Sequence, residues 1–107
     1  MSEKINLFDH VLANPVTLVA IVKGKPNPRV LTVEAKPEDW HGGHPIGAVL
    51  MKPVDLDCTR FKQPVMIEGW QLRDGDRVLG TEPLVTPIRL EPEVTMRLDR
   101  HAVVRRP

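Results

Sequence analysis

The chain has one cysteine, Cys58, one serine, Ser2, no tyrosine and no long apolar run. A single thiol excludes an intrachain disulfide and a thiolate metal cluster, and it fits a reducing compartment where packing supplies the stability. The aromatic residues are Phe8, Phe61, Trp40 and Trp70. They are too few and too scattered for the stacking platforms that bind carbohydrate or single-stranded nucleic acid. A net charge of +1 gives no whole-molecule field toward nucleic acid or membrane. No stretch approaches the roughly 20 apolar residues of a membrane span. Residues 1–9 are charged and lack the apolar segment of a signal peptide, so a cytoplasmic location is expected. There is no Gly-x-Ser-x-Gly elbow and no glycine-rich phosphate loop. The expectation is a protein that is not an enzyme, with no catalytic residues and no cofactor.

Proline, by contrast, is abundant: 11 of 107 residues, falling between short β-type runs. Proline lacks a backbone N–H and has a fixed φ, so it is driven to strand edges, turns and bulges. The spacing predicts an all-β fold, an antiparallel β-sandwich of Greek-key or jelly-roll type with about seven or eight short strands. Three parts are expected: an N-terminal arm or short helix over 1–15, a sandwich domain over 16–104, and a basic tail over 105–107. Within 2–13, Ser2 is a candidate N-cap and Ile5, Phe8, Val11 and Leu12 share a helical face, with Asn14-Pro15 as the stop. An extended arm is the competing reading.

Strands are expected at 16–22, 29–35, 46–52, 54–58, 65–73, 77–79, 84–90 and 93–99, with a last short pairing at 103–104. Asp74-Gly75 supplies a tight hairpin turn. Pro87 makes 84–90 an edge strand or one that carries a bulge. Alternation places Trp70 on one face with Met66, Glu68 and Leu72, and points Val94, Met96 and Leu98 inward.

Two strands are apolar on both faces. Val16, Leu18, Ala20 and Val22 oppose Val19 and Ile21, and Ile46, Ala48 and Leu50 oppose Val49 and Met51. Sandwich strands ordinarily show one polar face. The second faces therefore ask for a cover: the N-terminal segment folding back, a second copy, or a partner. The interaction candidates are Phe8, Val19, Ile21, Trp40, Val49, Met51, Arg105 and Arg106. Trp40 is either a partner anchor or a staple onto the core. Arg105 and Arg106 belong to a basic end that is either solvated or faces an acidic surface.

The segment 36–45 is the one long loop with chemically capable side chains. His41 and His44, with Glu38 or Asp39, are possible metal ligands, but His-x-x-His outside a helix is not diagnostic, and no metal site is assigned. Cys58 reads as a small buried hydrophobe. The carboxylate pairs 55/57, 74/76 and 91/93 read as edge charges and turn residues.

The proline-punctuated second half, QPVMIEGW at 63–70 and EPLVTPIRLEPEVTMRL at 82–98, resembles the small jelly-roll decoration, or cement, proteins of tailed bacteriophage capsids. The likeness covers 15–104 in pattern and carries no signature motif. It implies a non-enzymatic virion protein, assembled in the host cytoplasm, that clamps the major capsid protein, often as a trimer. Strand edges and the N-terminal arm would make several modest contacts together. Two other classes are open: an inhibitor or adaptor of one host protein, in the manner of anti-CRISPR proteins, and a cupin-like metal enzyme built on His41 and His44.

Overall fold

The computed structural model describes residues 6–107. Ser2 and Ile5 lie outside the described residues. The chain runs through one short helix, α1 (Leu7–Ala13), and then β1 (Val16–Val22), β2 (Lys25–Pro26), β3 (Thr32–Ala35), β4 (Trp40–His41), β5 (Gly47–Leu50), β6 (Val54–Asp57), β7 (Val65–Asp74), β8 (Arg77–Leu90), β9 (Thr95–Leu98) and β10 (Val103–Arg105). All pairings are antiparallel. The order is β2-β1-β7-β8, with β3 also on β1; β10-β5-β4 and β6-β9 form two smaller sheets. The all-β, antiparallel expectation therefore holds.

The helix begins where a cap allows it. The Asn6 side chain accepts the Asp9 N–H at 3.3 Å, satisfying one orphan donor of the first turn. Asn14 closes it, its N–H donating to the His10 carbonyl at 2.8 Å. Val11 is the fully buried residue of α1, and the helix docks where β5, β10 and a 3-10 turn at Pro37–Asp39 come together. A Cβ at Gly80 or Gly42 would stand 3.0 Å from Leu7 or Leu12 respectively, so the helix spans from β8 to the loop after β4.

One core joins the sheets. Leu18, Leu50, Ile67, Trp70, Leu72 and Leu90 are its largest fully buried members. The Trp70 indole N–H donates to the His101 carbonyl at 3.0 Å, and the two rings meet edge to face at 5.4 Å. This bond ties the longest sheet to the turn between β9 and β10. Close backbone approach pins β10 to β5: a Cβ at Gly47 would lie 2.0 Å from the Val104 carbonyl oxygen. Only a residue without a Cβ fits there.

Several expectations need correction. The alternation in β7 reverses at a register shift between Ile67 and Gly69. Ile67, not Met66 or Glu68, joins Trp70 and Leu72 in the core, because a bulge changes the side-chain parity. The strands expected at 77–79 and 84–90 are one edge strand, β8, and four of its residues, 84–87, oppose Glu68 alone. Pro87 sits in that bulge, as its missing N–H requires. Val94 lies before β9 and is exposed. The 36–45 segment is not simply loop, since Trp40 and His41 pair with Leu50 and Val49.

The premise of two uncovered faces fails for the valines, while Met51 is 45 % exposed. Val19 is 1 % and Val49 6 % exposed within the single chain. Val19 lies between Thr32 and Gln71 on the neighbouring strands, and Ile21 is half-buried. No outside cover is needed for either valine, and α1 packs over the junction of the sheets instead of over β1.

Candidate functional site

The residues singled out from the sequence divide into those used internally and those gathered at the surface. Trp40 is buried in the core cluster, which makes it a staple and not a partner anchor. Its indole N–H has no partner among the described residues. Phe8 is half-buried beneath the Arg106 guanidinium, which stands 4.9 Å from the ring centroid. Arg106 also donates to the carbonyls of Gly42 and His44 at 2.6 and 3.2 Å. It is a clasp joining α1, the loop after β4 and the end of β10. Arg105 has an exposed side chain, and its backbone runs beside the Glu82 carboxyl. Burial pushes the Glu82 carboxyl up, and the Arg105 N–H and charge oppose that shift. Cys58 is buried, and burial together with the Asp57 charge pushes its thiol up, away from the reactive thiolate.

His41, His44, Val49 and Met51, which the sequence offered as separate candidates, do meet. With Arg100 they line a hollow of about 320 Å³. Among the described residues no group of three or more His, Cys, Asp or Glu is placed to hold a metal ion. His44 Nδ1 accepts the Ile46 N–H at 3.2 Å, which commits that lone pair and leaves the neutral ring with a donor at Nε2. The ligand set a cupin-like centre would need is not assembled by these two histidines.

A larger concavity lies elsewhere. A groove of about 840 Å³ runs between the β1–β2 hairpin and the segment 60–66. The hairpin turn is Lys23-Gly24, both in the left-handed region with φ of 53° and 76°, the geometry of a tight hairpin. Gly24 N–H donates to Glu68 Oε1 at 2.8 Å, fastening the turn to β7. On the opposite wall Arg60 donates to the carbonyls of Arg29 and Val30, and its guanidinium stacks 4.7 Å from the Phe61 centroid. Phe61, Val22, Val30 and Val65 give the groove an apolar lining.

Charge is distributed unevenly along it. Lys23, Lys25, Arg60 and Lys62 line the groove, against one carboxylate, Glu68. Lys23, Lys25 and Lys62 form no ion pair with a described residue. The groove was not legible in the sequence, where Lys23 and Lys25 fall between the strands expected at 16–22 and 29–35 and lie far from Arg60-Phe61-Lys62. The one available signal was that cation–aromatic–cation triplet at 60–62, between two predicted strands.

No family model matches this chain, and no curated protein or solved structure matches it.

Proposed function

We propose that this protein is a non-enzymatic interaction module whose groove beside the β1–β2 hairpin takes an acidic, partly apolar segment of a partner protein. The observation that carries the reading is the excess of cations, four against the single carboxylate of Glu68, around an apolar floor. Its volume lies within the range of ligand clefts. Rim charges of this kind steer a complementary partner and set its on-rate, while apolar contact inside the groove holds it. Capsid decoration, with the major capsid protein as the partner, is the setting that the resemblance over 15–104 suggests. Self-association as a trimer enters only through that resemblance, because Val19 and Val49 are covered by their own chain.

Two measurements test it. Fluorescence anisotropy with a labelled peptide of alternating Glu and Leu should give saturable, salt-sensitive binding. The triple reversal Lys23→Glu, Lys25→Glu, Lys62→Glu should weaken that binding by at least about tenfold, roughly the effect of removing several complementary rim charges. Equal binding by the triple variant would remove the groove from the proposal. Co-sedimentation with isolated phage shells tests the capsid setting separately: a protein that stays in the supernatant with every shell tried is not a decoration protein.

A further inference from the structure

We infer that the hollow bounded by His41, His44 and Arg100 is a binding site for a small aliphatic carboxylate. It shares no lining residue with the groove and does not depend on how the groove is used. The floor is built on the outer face of the β10-β5-β4 sheet. Val49 in β5 stands directly opposite His41 in β4 and Val103 in β10. That register sets an imidazole beside a flat apolar surface. Met51, 45 % exposed, extends the apolar floor at the end of β5.

The walls carry hydrogen-bond donors. The His44 ring is oriented by the Ile46 N–H on Nδ1, so its Nε2–H is the atom left to donate. Its loop is held by the Arg106 clasp on the Gly42 and His44 carbonyls. His41 folds over Gly43, its Cε1 3.4 Å from where a Cβ on that glycine would stand. Arg100 comes from the turn between β9 and β10 and holds a left-handed backbone, φ 52°. That conformation costs a non-glycine residue about 1 kcal/mol or more, and here it sets Arg100 on the rim of the hollow. No Asp or Glu lines it.

An arginine fork and an imidazole N–H above an apolar floor match a carboxylate on a short hydrocarbon stem. Guanidinium takes carboxylate through two parallel hydrogen bonds. The stem lies on Val49 and Met51, replacing water on that surface. A bare inorganic anion would leave this floor wet.

Butyrate is the probe, followed by two-dimensional NMR on the full chain. Saturable shifts are expected at the amides of 41–44, 48–51 and 99–101, with Kd on the order of 1 mM. Butyramide, the neutral isostere, should bind at least about tenfold more weakly, as should butyrate to Arg100→Gln. Lys62→Glu, in the groove, should leave butyrate binding unchanged. Inorganic phosphate binding as tightly as butyrate would overturn the assignment in favour of an unselective anion site. Zinc binding that displaces butyrate would overturn it in favour of a metal site. An absence of saturable shifts, or an Arg100→Gln variant that binds like the parent, would overturn it outright.

Discussion

The groove and the hollow are both ringed by positive or donor side chains, yet they are built in different ways. In the groove the cations sit on the β1–β2 hairpin, Lys23 in its turn and Lys25 in the two-residue strand β2, and on an irregular segment, and three of them are lysines. In the hollow the floor is a paired strand, one wall is clasped by Arg106, and the other rises from a turn tied to the core by the Trp70–His101 hydrogen bond. The difference concerns where specificity comes from. Lysine stems are long and mobile, so the groove selects by field and tolerates varied sequence. A site standing on a sheet selects by shape, and its precision is inherited from the fold beneath it.

If that contrast is right, damage under the hollow destabilises the whole molecule and damage in the groove does not. The largest effect is expected for Gly47→Ala. The new Cβ meets the Val104 carbonyl at 2.0 Å and the Arg105 Cα at 2.8 Å. Backbone cannot yield as a side-chain tip does, so β10 must separate from β5 at a cost of about 3 kcal/mol or more. Urea unfolding reads this directly, and an unchanged midpoint would show that the two strands are not so closely apposed.

Next comes Trp70→Phe. It leaves the His101 carbonyl without its donor and a gap where the indole was, at about 2–3 kcal/mol. It also loosens the turn that carries Arg100, so butyrate binding should weaken while peptide binding in the groove persists.

A smaller effect follows from His101. Its Nδ1 lies 3.1 Å from the Leu98 carbonyl and therefore bears the proton, leaving a buried Nε2 with no partner among the described residues. Burial holds the ring below the usual imidazole range, against the Leu98 carbonyl and the Asp99 charge, which favour protonation. The unfolded chain takes up a proton near pH 6.5, whereas the fold resists it. Stability is therefore complete above about pH 6.5 and declines as pH falls through that value toward the lower folded pKa. His101→Asn keeps a short polar side chain, and its stability should fall less between about pH 7 and about pH 5. A parent protein with a flat profile over that window would contradict the buried neutral ring.

Least affected should be the groove. Lys62→Glu is expected to alter stability by no more than about 0.5 kcal/mol, as exposed substitutions do, while acidic-peptide affinity drops. A large loss of stability there would erase the distinction between the two sites.

Local pattern carried much of the architecture. Alternation located β3, β6 and the second half of β7 because each has one wetter and one dry face. It failed over Met66–Glu68, on the far side of the register shift from Trp70, since a bulge is set by the partner strand and shifts parity without a mark in the apolar pattern. It also misjudged Val19 and Val49. Hydrophobicity on both sides of a strand does not say how wide the covering neighbours are, and here Thr32, Gln71 and His41 stand on the adjoining strands. His41, His44, Val49 and Met51 were each identifiable as unusual, whereas Arg100 read only as one of the residues that make the end of the chain basic. It reaches the hollow through a chain reversal after β9 that depends on Trp70 and Leu98 being buried. The groove needed two segments some 40 residues apart to meet, which no local pattern encodes.

The bulge in β8 reaches beyond its own sheet. β8 is the outermost strand, 14 residues long, and an unbroken edge of that length would invite another molecule to zip onto it. Residues 84–87 step out of line, Val85 stands 85 % exposed, and Pro83 and Pro87 offer no amide hydrogen. A second chain laid along this rim would lose its hydrogen-bond ladder midway. Along this rim an approaching chain meets side chains and prolines where a continuous row of amides would otherwise stand.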